Sequence, residues 1–281
     1  MILVTGASGN VGSAVLEQLL ARDLPVRIGA RRPETVAERY GAEVARFDFL
    51  DPKTYPAAEG CEAVFLLRPP AIANTAETLN VFVDVARGLG VSQIVFVSVA
   101  GAGDNPIVPH HAVEKKLGEG PACWTILRPG FFAQNIGDAY RDDIVRDDRI
   151  LVPAGSSRVA FIDVRDVAEV AVAALTDPDT HHGQIYTLTG PEALTFSEVA
   201  QTLTETLGRP VAYRPATILG YAYHLYRRRS LPLAQSVVQT VLHVGLRFGQ
   251  AETVDKTLAT LLGRRPRTVR DYVRDHQDLW R

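Results

Sequence analysis

The sequence is short of most features that mark a secreted, metal-holding or nucleic-acid-binding chain. Its 281 residues include two cysteines, Cys61 and Cys123, and one methionine. Two cysteines cannot build a disulfide framework, and they lack metal-ligand spacing, so no metal is expected. Both lie among apolar residues, which predicts two buried thiols in a reducing compartment. An excess of one charge is also missing. Lys and Arg number 30 against 32 Asp and Glu, a formal net charge of −2, which gives no pull toward a polyanion. The stretch from Tyr226 to Arg281 is locally basic, with eleven Lys or Arg against five Asp or Glu. It carries no zinc ligands and no aromatic-basic platform, so its charge reads as solvated helix faces. No uninterrupted apolar run reaches the roughly 18 residues of a membrane span, and no secretion leader precedes the first apolar segment. Repeats and low-complexity linkers are absent. A soluble, cytoplasmic protein with neither a nucleic-acid nor a membrane partner is expected.

What is present begins at once. Met1 to Gly12 read MILVTGASGNVG. Ile2, Leu3 and Val4 form an apolar run, Gly6, Gly9 and Gly12 punctuate a turn, and Val11, Val15 and Leu19 then recur at the spacing of a buried helix face. Strand, glycine turn and helix in that order make a dinucleotide site. Glycine lets the backbone approach a pyrophosphate, and the helix N-terminus offers unpaired N–H groups and the positive end of a dipole. The spacing is G-x-x-G-x-x-G, not the G-x-G-x-x-G of most dehydrogenases.

Further strands are expected at 25–29, 43–47, 63–67, 93–98 and 123–128, with helices at 81–89 and 109–117 between them. Such alternation predicts an α/β fold, a Rossmann-type doubly wound parallel sheet with its ligand at the carboxyl ends of the strands. The second strand runs into Arg31 and Arg32 with no acid beside them. An acid there would bond a ribose 2′-hydroxyl, whereas arginine suits a 2′-phosphate, so NADPH is expected over NADH. At the third strand end Asp48 is placed to accept from adenine, with Phe49 packing beside the ring. Asp51 and Pro52 also read as a helix start.

Beyond Pro129 the pattern loosens. Short strands are expected near 150–153 and 158–162, a helix at 164–175, and a strand at 184–188 that rejoins the sheet. A capping box of Thr195 and Glu198 opens a helix to about Leu207. From Thr217 several helices follow, with breaks near Pro232, Gly245 and Gly263. The expected division is a Rossmann domain of 1–148 with 163–190, and a smaller, mostly helical substrate subdomain of 149–162 with 191–281, its helices forming a lid.

Short-chain dehydrogenases place a serine after the fifth strand and a Tyr-x-x-x-Lys on the next helix. The tyrosine donates a proton as hydride arrives. Ser98 has the serine's place, but the helix reads PHHAVEKKLG and holds no tyrosine. Ordinary ketoreductases and nucleotide-sugar epimerases depend on that tyrosine, so both are disfavoured. The turn TGASGNVG, the strand-end Arg31, and the segment from His110 through WTILRPGFFAQN to Asn135 resemble the NmrA-like family of atypical short-chain dehydrogenases. VAFIDVRDVAEVA, LTGPEALTFSEVA and GRRPRTVRDYVRDH extend the resemblance over the whole chain.

The resemblance implies that Gly6, Ser8, Gly9, Asn10 and Val11 form the pyrophosphate loop and that Arg31 contacts the 2′-phosphate. It sets Asp48 and Phe49 against adenine, and Leu67 and Arg68 along the ribose and pyrophosphate. Glu114 and Leu117 set a register in which His110 stands where related families hold the catalytic lysine, there to bond the nicotinamide ribose or relay a proton near neutral pH. A local hydrogen bond at the start of the helix is the competing role. Asp166 reads as structural, and Arg128 as shaping its strand's exit.

Phe131, Phe132 and Asn135 follow the sixth strand at the nicotinamide end, where two aromatics and an amide suit a flat conjugated substrate. The family contains quinone, dye, enone and imine reductases, and also regulators that bind dinucleotide without turnover. An NADPH-dependent reductase of a conjugated small molecule is the leading expectation, with Ser98 and His110 at the chemistry. A non-catalytic NADP(H) sensor, docking through its basic C-terminal helices, is the alternative. Non-redox chemistry in the same pocket is a third reading. A homodimer is compatible with either of the first two.

Overall fold

Strands β1 (Ile2–Thr5), β4 (Ala63–Leu67) and β5 (Gln93–Val97) are almost wholly apolar because helices cover both of their faces. The computed structural model describes the backbone of residues 1–281 and every side chain except that of Glu38. The chain divides into two compact units, the first made of Met1–Pro129, Val164–Leu188 and Thr260–Leu262.

In the first unit, β1, β4 and β5 join β2 (Val26–Ala30), β3 (Glu43–Arg46), β6 (Cys123–Pro129) and β9 (Gln184–Leu188) in a seven-stranded sheet of order β3-β2-β1-β4-β5-β6-β9. Every pairing is parallel. The order reverses between β1 and β4, the switch point at which such a sheet opens a crevice beyond its carboxyl ends. Thr5 fastens that point: its hydroxyl donates to the Phe65 carbonyl (2.9 Å) and accepts from the Leu67 amide (3.0 Å).

Helices α1 (Asn10–Leu20) and α6 (Val164–Thr176) pack together, with Gln18 Nε2 donating to the Arg165 carbonyl at 2.9 Å. α1 buries Val11, Ala14, Val15, Leu16 and Leu19, where each large side chain stabilises by about 1.5–3 kcal/mol. A second apolar layer gathers α3 (Leu79–Gly88), α4 (Pro109–Gly118) and the 3-10 turn Pro52–Ala58 around Phe47, Phe49, Tyr55 and Phe82. Asp51 caps that turn through the Lys53 amide. The short α2 (Glu34–Tyr40) carries too little apolar periodicity to be read from sequence, and α7 (Pro178–His181) is a single turn before β9. Both cysteines are free; Cys61 is buried and Cys123 half-buried.

The second unit comprises Gly130–Asp163, Thr189–Ala259 and Gly263–Arg281. It contains α5 (Arg141–Asp147), β7 (Arg149–Val152), β8 (Arg158–Val159), β10 (Leu194–Thr195), α8 (Phe196–Leu207), β11 (Ala212–Pro215), α9 (Ile218–Tyr223), α10 (Leu233–Leu246) and α12 (Val269–Asp275). Strand β11 pairs parallel with β7, and β10 antiparallel with β8. Helix α11 (Thr257–Leu262) ends in residues of the first unit.

The division falls after Pro129, not at residue 148 as the sequence pattern predicts. Ala133, Ile136, Tyr140 and Ile144 send their side chains into the second core, beside Phe161, Phe196 and Trp280. Thr195 and Glu198 form the expected capping box, and Gly208, at φ +67°, closes α8. The break expected near Gly245 is found one residue on, where α10 ends at Leu246.

Candidate functional site

The Gly6–Gly12 turn leaves β1 at the switch point. Gly6 sits at φ +71°, and a Cβ there would lie 2.7 Å from Leu67 Cδ2. A Cβ on Gly12 would collide with the Gly6 carbonyl, so helix and turn close on each other only as glycine. The Gly9 amide donates to the Gly6 carbonyl at 3.0 Å. Gly9 is also the N-cap of α1, with no side-chain cap and no acid in the first turn. The helix therefore presents its first amides and the positive end of its dipole without an internal anion to satisfy them. Ser8, Gly9 and Asn10 are exposed and Val11 is buried. A cradle a Cβ would fill, beside an uncapped eleven-residue helix, fits the pyrophosphate of a dinucleotide.

At the ends of β2 and β3 the sequence-predicted residues part company. Arg31 is exposed and has no ion-pair partner among the described residues. Asp48 accepts from the Leu50 amide (3.0 Å), and Thr54 clasps the same turn by accepting from the Asp48 amide and donating to its carbonyl. Phe49 is only 4 % exposed, edge-on to Phe47 at 4.7 Å and to Phe82 at 5.6 Å. Its ring belongs to the core, which corrects the expectation that it flanks adenine. The exposed apolar side chain at that turn is Leu50.

Leu67 and Arg68 end β4. Leu67 is the wedge against Gly6. The Arg68 guanidinium donates to the carbonyls of Pro69 (3.2 Å), Pro70 (3.3 Å) and Ile72 (2.5 Å), and through Nε to His110 Nε2 at 3.1 Å. Its donors thus organise the 69–72 loop and orient the histidine, partners that the strand-end reading does not foresee.

His110 lies in the first turn of α4 and is buried. Accepting from Arg68 at Nε2 places its proton on Nδ1, which is buried without a hydrogen-bond partner among the described residues. Burial, reinforced by the neighbouring Arg68 charge, pushes its pKa down to about 4 against the weaker opposing effect of Glu114. The imidazole is therefore neutral at physiological pH, which corrects the expectation of a group titrating near neutrality.

Ser98, just past β5, donates through Oγ to Glu114 Oε1 at 2.5 Å. Arg128 from β6 closes on the same carboxylate, Nε to Oε1 at 3.0 Å and Nη2 to Oε2 at 2.5 Å. The Ser98 hydroxyl is thereby spent on a buried carboxylate. Charge complementarity and spacing along α4 hint at this network only once β5 and β6 are known to be neighbours.

The second unit holds Phe131, Phe132 and Asn135. Phe131 is edge-on to Phe161 (5.6 Å) and His243 (5.8 Å), and Phe132 forms a bridge to Ile162. The Asn135 carbonyl accepts from the Tyr140 amide at 3.1 Å. Behind Phe131 is a pair absent from the sequence reading. His243 Nδ1 donates to the Gln239 carbonyl (2.7 Å), and Nε2 then accepts from the Tyr140 hydroxyl (2.6 Å). Burial drives the Tyr140 pKa up and that of His243 down, so both stay neutral. Residues 103 apart in sequence leave no local signal of such a pair.

Residues 6–178, more than half of the chain, match the family model described as NAD(P)H-binding. The NAD(P)H azoreductase of Xenophilus azovorans is 32% identical over 98% of this chain and 98% of its own length. The NADPH-dependent quinone oxidoreductase QOR2 of Escherichia coli, in a crystal structure with NADPH, superposes with a TM-score of 0.86 at 25% identity, covering 99% of this chain and 100% of that one. The triphenylmethane reductase of Citrobacter sp., complexed with NADP(H), has the same fold, with a TM-score of 0.86 at 24% identity over 98% of this chain and 99% of that one. The glycine cradle and these matches together make the chain an NAD(P)H-dependent reductase of the NAD(P)H-binding family.

Proposed function

We propose that the protein reduces an electron-poor conjugated small molecule, such as a quinone, enone or iminium ion, with NADPH as the preferred cofactor. The observation that carries this reading is the state of the β5–α4 region. Ser98 donates to Glu114, and His110 is a neutral imidazole whose Nε2 already accepts from Arg68. Neither is poised as a strong acid. An acceptor that delocalises the incoming charge needs none, and its proton then comes from solvent.

When bound, NADPH supplies the hydride. The Gly6–Gly12 backbone and the α1 N-terminus hold the pyrophosphate in this reading, and Arg31 receives the 2′-phosphate. His110 Nδ1–H is the donor left to orient the cofactor ribose or the acceptor. Phe131, Phe132 and Asn135 offer ring faces and an amide to a flat substrate, so that catalysis rests on positioning and exclusion of water.

The test follows NADPH oxidation against a panel of quinones, enones and imines. Turnover with at least one acceptor is expected, with NADH binding more weakly. Arg31→Ala should weaken NADPH binding by about tenfold and leave NADH unchanged, the size of a surface charge-assisted contact. Tight NADPH binding without turnover of any acceptor would overturn the reading in favour of a sensor.

A further inference from the structure

Helix α10 is inside out. Its polar residues Ser236, Thr240 and His243 are 0, 5 and 5 % exposed, whereas Val238, Val241 and Leu242 are 57, 64 and 60 % exposed. The buried polar groups are satisfied locally: Ser236 Oγ donates to the Pro232 carbonyl, Thr240 Oγ1 to the Ser236 carbonyl, and His243 bonds Gln239 and Tyr140. The inward face is therefore complete, and the outward face is apolar with nothing covering it. Helix α9 packs beside α10 and adds exposed Leu219 and Tyr223, with Tyr226 in the following turn and Phe248 just past α10. Monomeric proteins rarely leave apolar surface this continuous without an occupant.

The charge around this face is mostly of one sign. No Asp or Glu occurs from Thr206 to Ala251. Arg227 and Arg228 are exposed and have no ion-pair partner among the described residues, and Arg247 is exposed at the other end of α10. Two acids of the same unit are already engaged, Asp142 with Arg229 at 2.8 Å and Asp143 with His224 at 2.9 Å, and exposed Glu252 stands at the edge of the face beside Gly249. A second copy on this face would set three arginines against three arginines with Glu252 as the exposed acid at the edge, an excess of like charge that is costly. An anionic lipid surface has the complementary character. Its headgroups attract the arginines, its acyl boundary accepts the Val and Leu side chains, and tyrosine belongs at the interface between them.

We propose that the α9–α10 face of the second unit is a peripheral docking surface for a membrane rich in anionic lipid. No helix among the described residues is long and apolar enough to cross a membrane, so the contact is one of lying on the bilayer. A contiguous-run test on the sequence does not register a surface assembled from two helices, which is why no membrane partner was expected there. The inference is independent of the reductase reading.

Cosedimentation with vesicles tests it. The full-length protein should pellet with phosphatidylcholine vesicles containing about a third phosphatidylglycerol, not with phosphatidylcholine alone, and high salt should release part of it. R227E/R228E should weaken partitioning by about 30-fold or more, the loss expected for two surface arginines. V238E/V241E should abolish it. Both variants alter exposed side chains and should keep the parent's melting temperature, which serves as the folding control. Absence of binding to the anionic vesicles overturns the proposal. A parent that light scattering shows as a dimer, converted to monomer by V238E/V241E, also overturns it and gives the face to a second copy.

Discussion

The Ser98–Glu114–Arg128 cluster separates a structural serine from a catalytic one by experiment. The Glu114 side chain is 7 % exposed and its carboxylate takes three charge-assisted hydrogen bonds, two from Arg128 and one from Ser98. Glu114→Gln leaves the half-buried guanidinium facing an amide, and removal of one partner of such a pair costs up to about 3–5 kcal/mol. For a chain of this size that lowers the melting temperature by about 6–20 °C. E114L/R128M, which removes both charges at similar volume, should recover most of the loss, because the cost lies in the stranded charge more than in the missing attraction. Ser98→Ala removes one bond to a charged acceptor and should cost about 1.5–3 kcal/mol. It should leave turnover of any acceptor within about twofold, since the hydroxyl stabilises no reacting atom in this arrangement. Thermal melts followed by circular dichroism, together with NADPH oxidation rates, measure both quantities. An unchanged melting temperature in Ser98→Ala beside a rate loss of about a hundredfold, the size of a lost general acid, would refute the reasoning.

Three further outcomes follow from the same geometry. With its folded pKa near 4 and an ordinary value of 6.5, His110 stays unprotonated in the native state while the unfolded chain takes up a proton. Its contribution is constant above about pH 6.5 and falls by up to about 3 kcal/mol as pH drops toward 4, a slope that urea titrations should find flattened in His110→Gln. Gly12→Ala should weaken NADPH binding by at least about tenfold in fluorescence titration, because its Cβ can be seated only by moving the Gly6 carbonyl out of the cradle. Tyr140→Phe should cost about 1–3 kcal/mol in denaturant unfolding by leaving His243 Nε2 without its donor, and an unaltered midpoint would contradict the buried pair.

The parts legible in the sequence were those written in consecutive residues. The glycine turn, the buried strands and the Thr195 capping box all signal themselves within one turn or strand. The position of Arg31, just past the end of β2, also follows from the strand pattern alone. Arg68, Ser98 and His110 were placed at the right ends of the right elements, but their partners were not visible. Arg68 lies 42 residues from His110, and Ser98 reaches Glu114 across a helix, so only the folded sheet decides which donor meets which acceptor. Phe49 misled because an aromatic beside a strand end suits an adenine edge and a core equally well. The boundary after Pro129 was hidden for a similar reason: Ile136, Tyr140 and Ile144 have the spacing of a buried face, and nothing local says which core they enter.

The parallel sheet is finished late. Strand β6 ends at Pro129, and its outer neighbour β9 is not synthesised until Gln184–Leu188, after a long excursion into the second unit. During translation the β6 backbone therefore has an open edge, with Thr125 to Pro129 offering unpaired amides and carbonyls to any strand that arrives. Vectorial synthesis makes this the interval of greatest exposure to misassembly, and a ribosome pause or truncation between Gly130 and Gly183 would prolong it. The same interleaving ties the two units together in the gene: any contiguous fragment that carries all seven strands must also carry Gly130–Asp163 of the second unit.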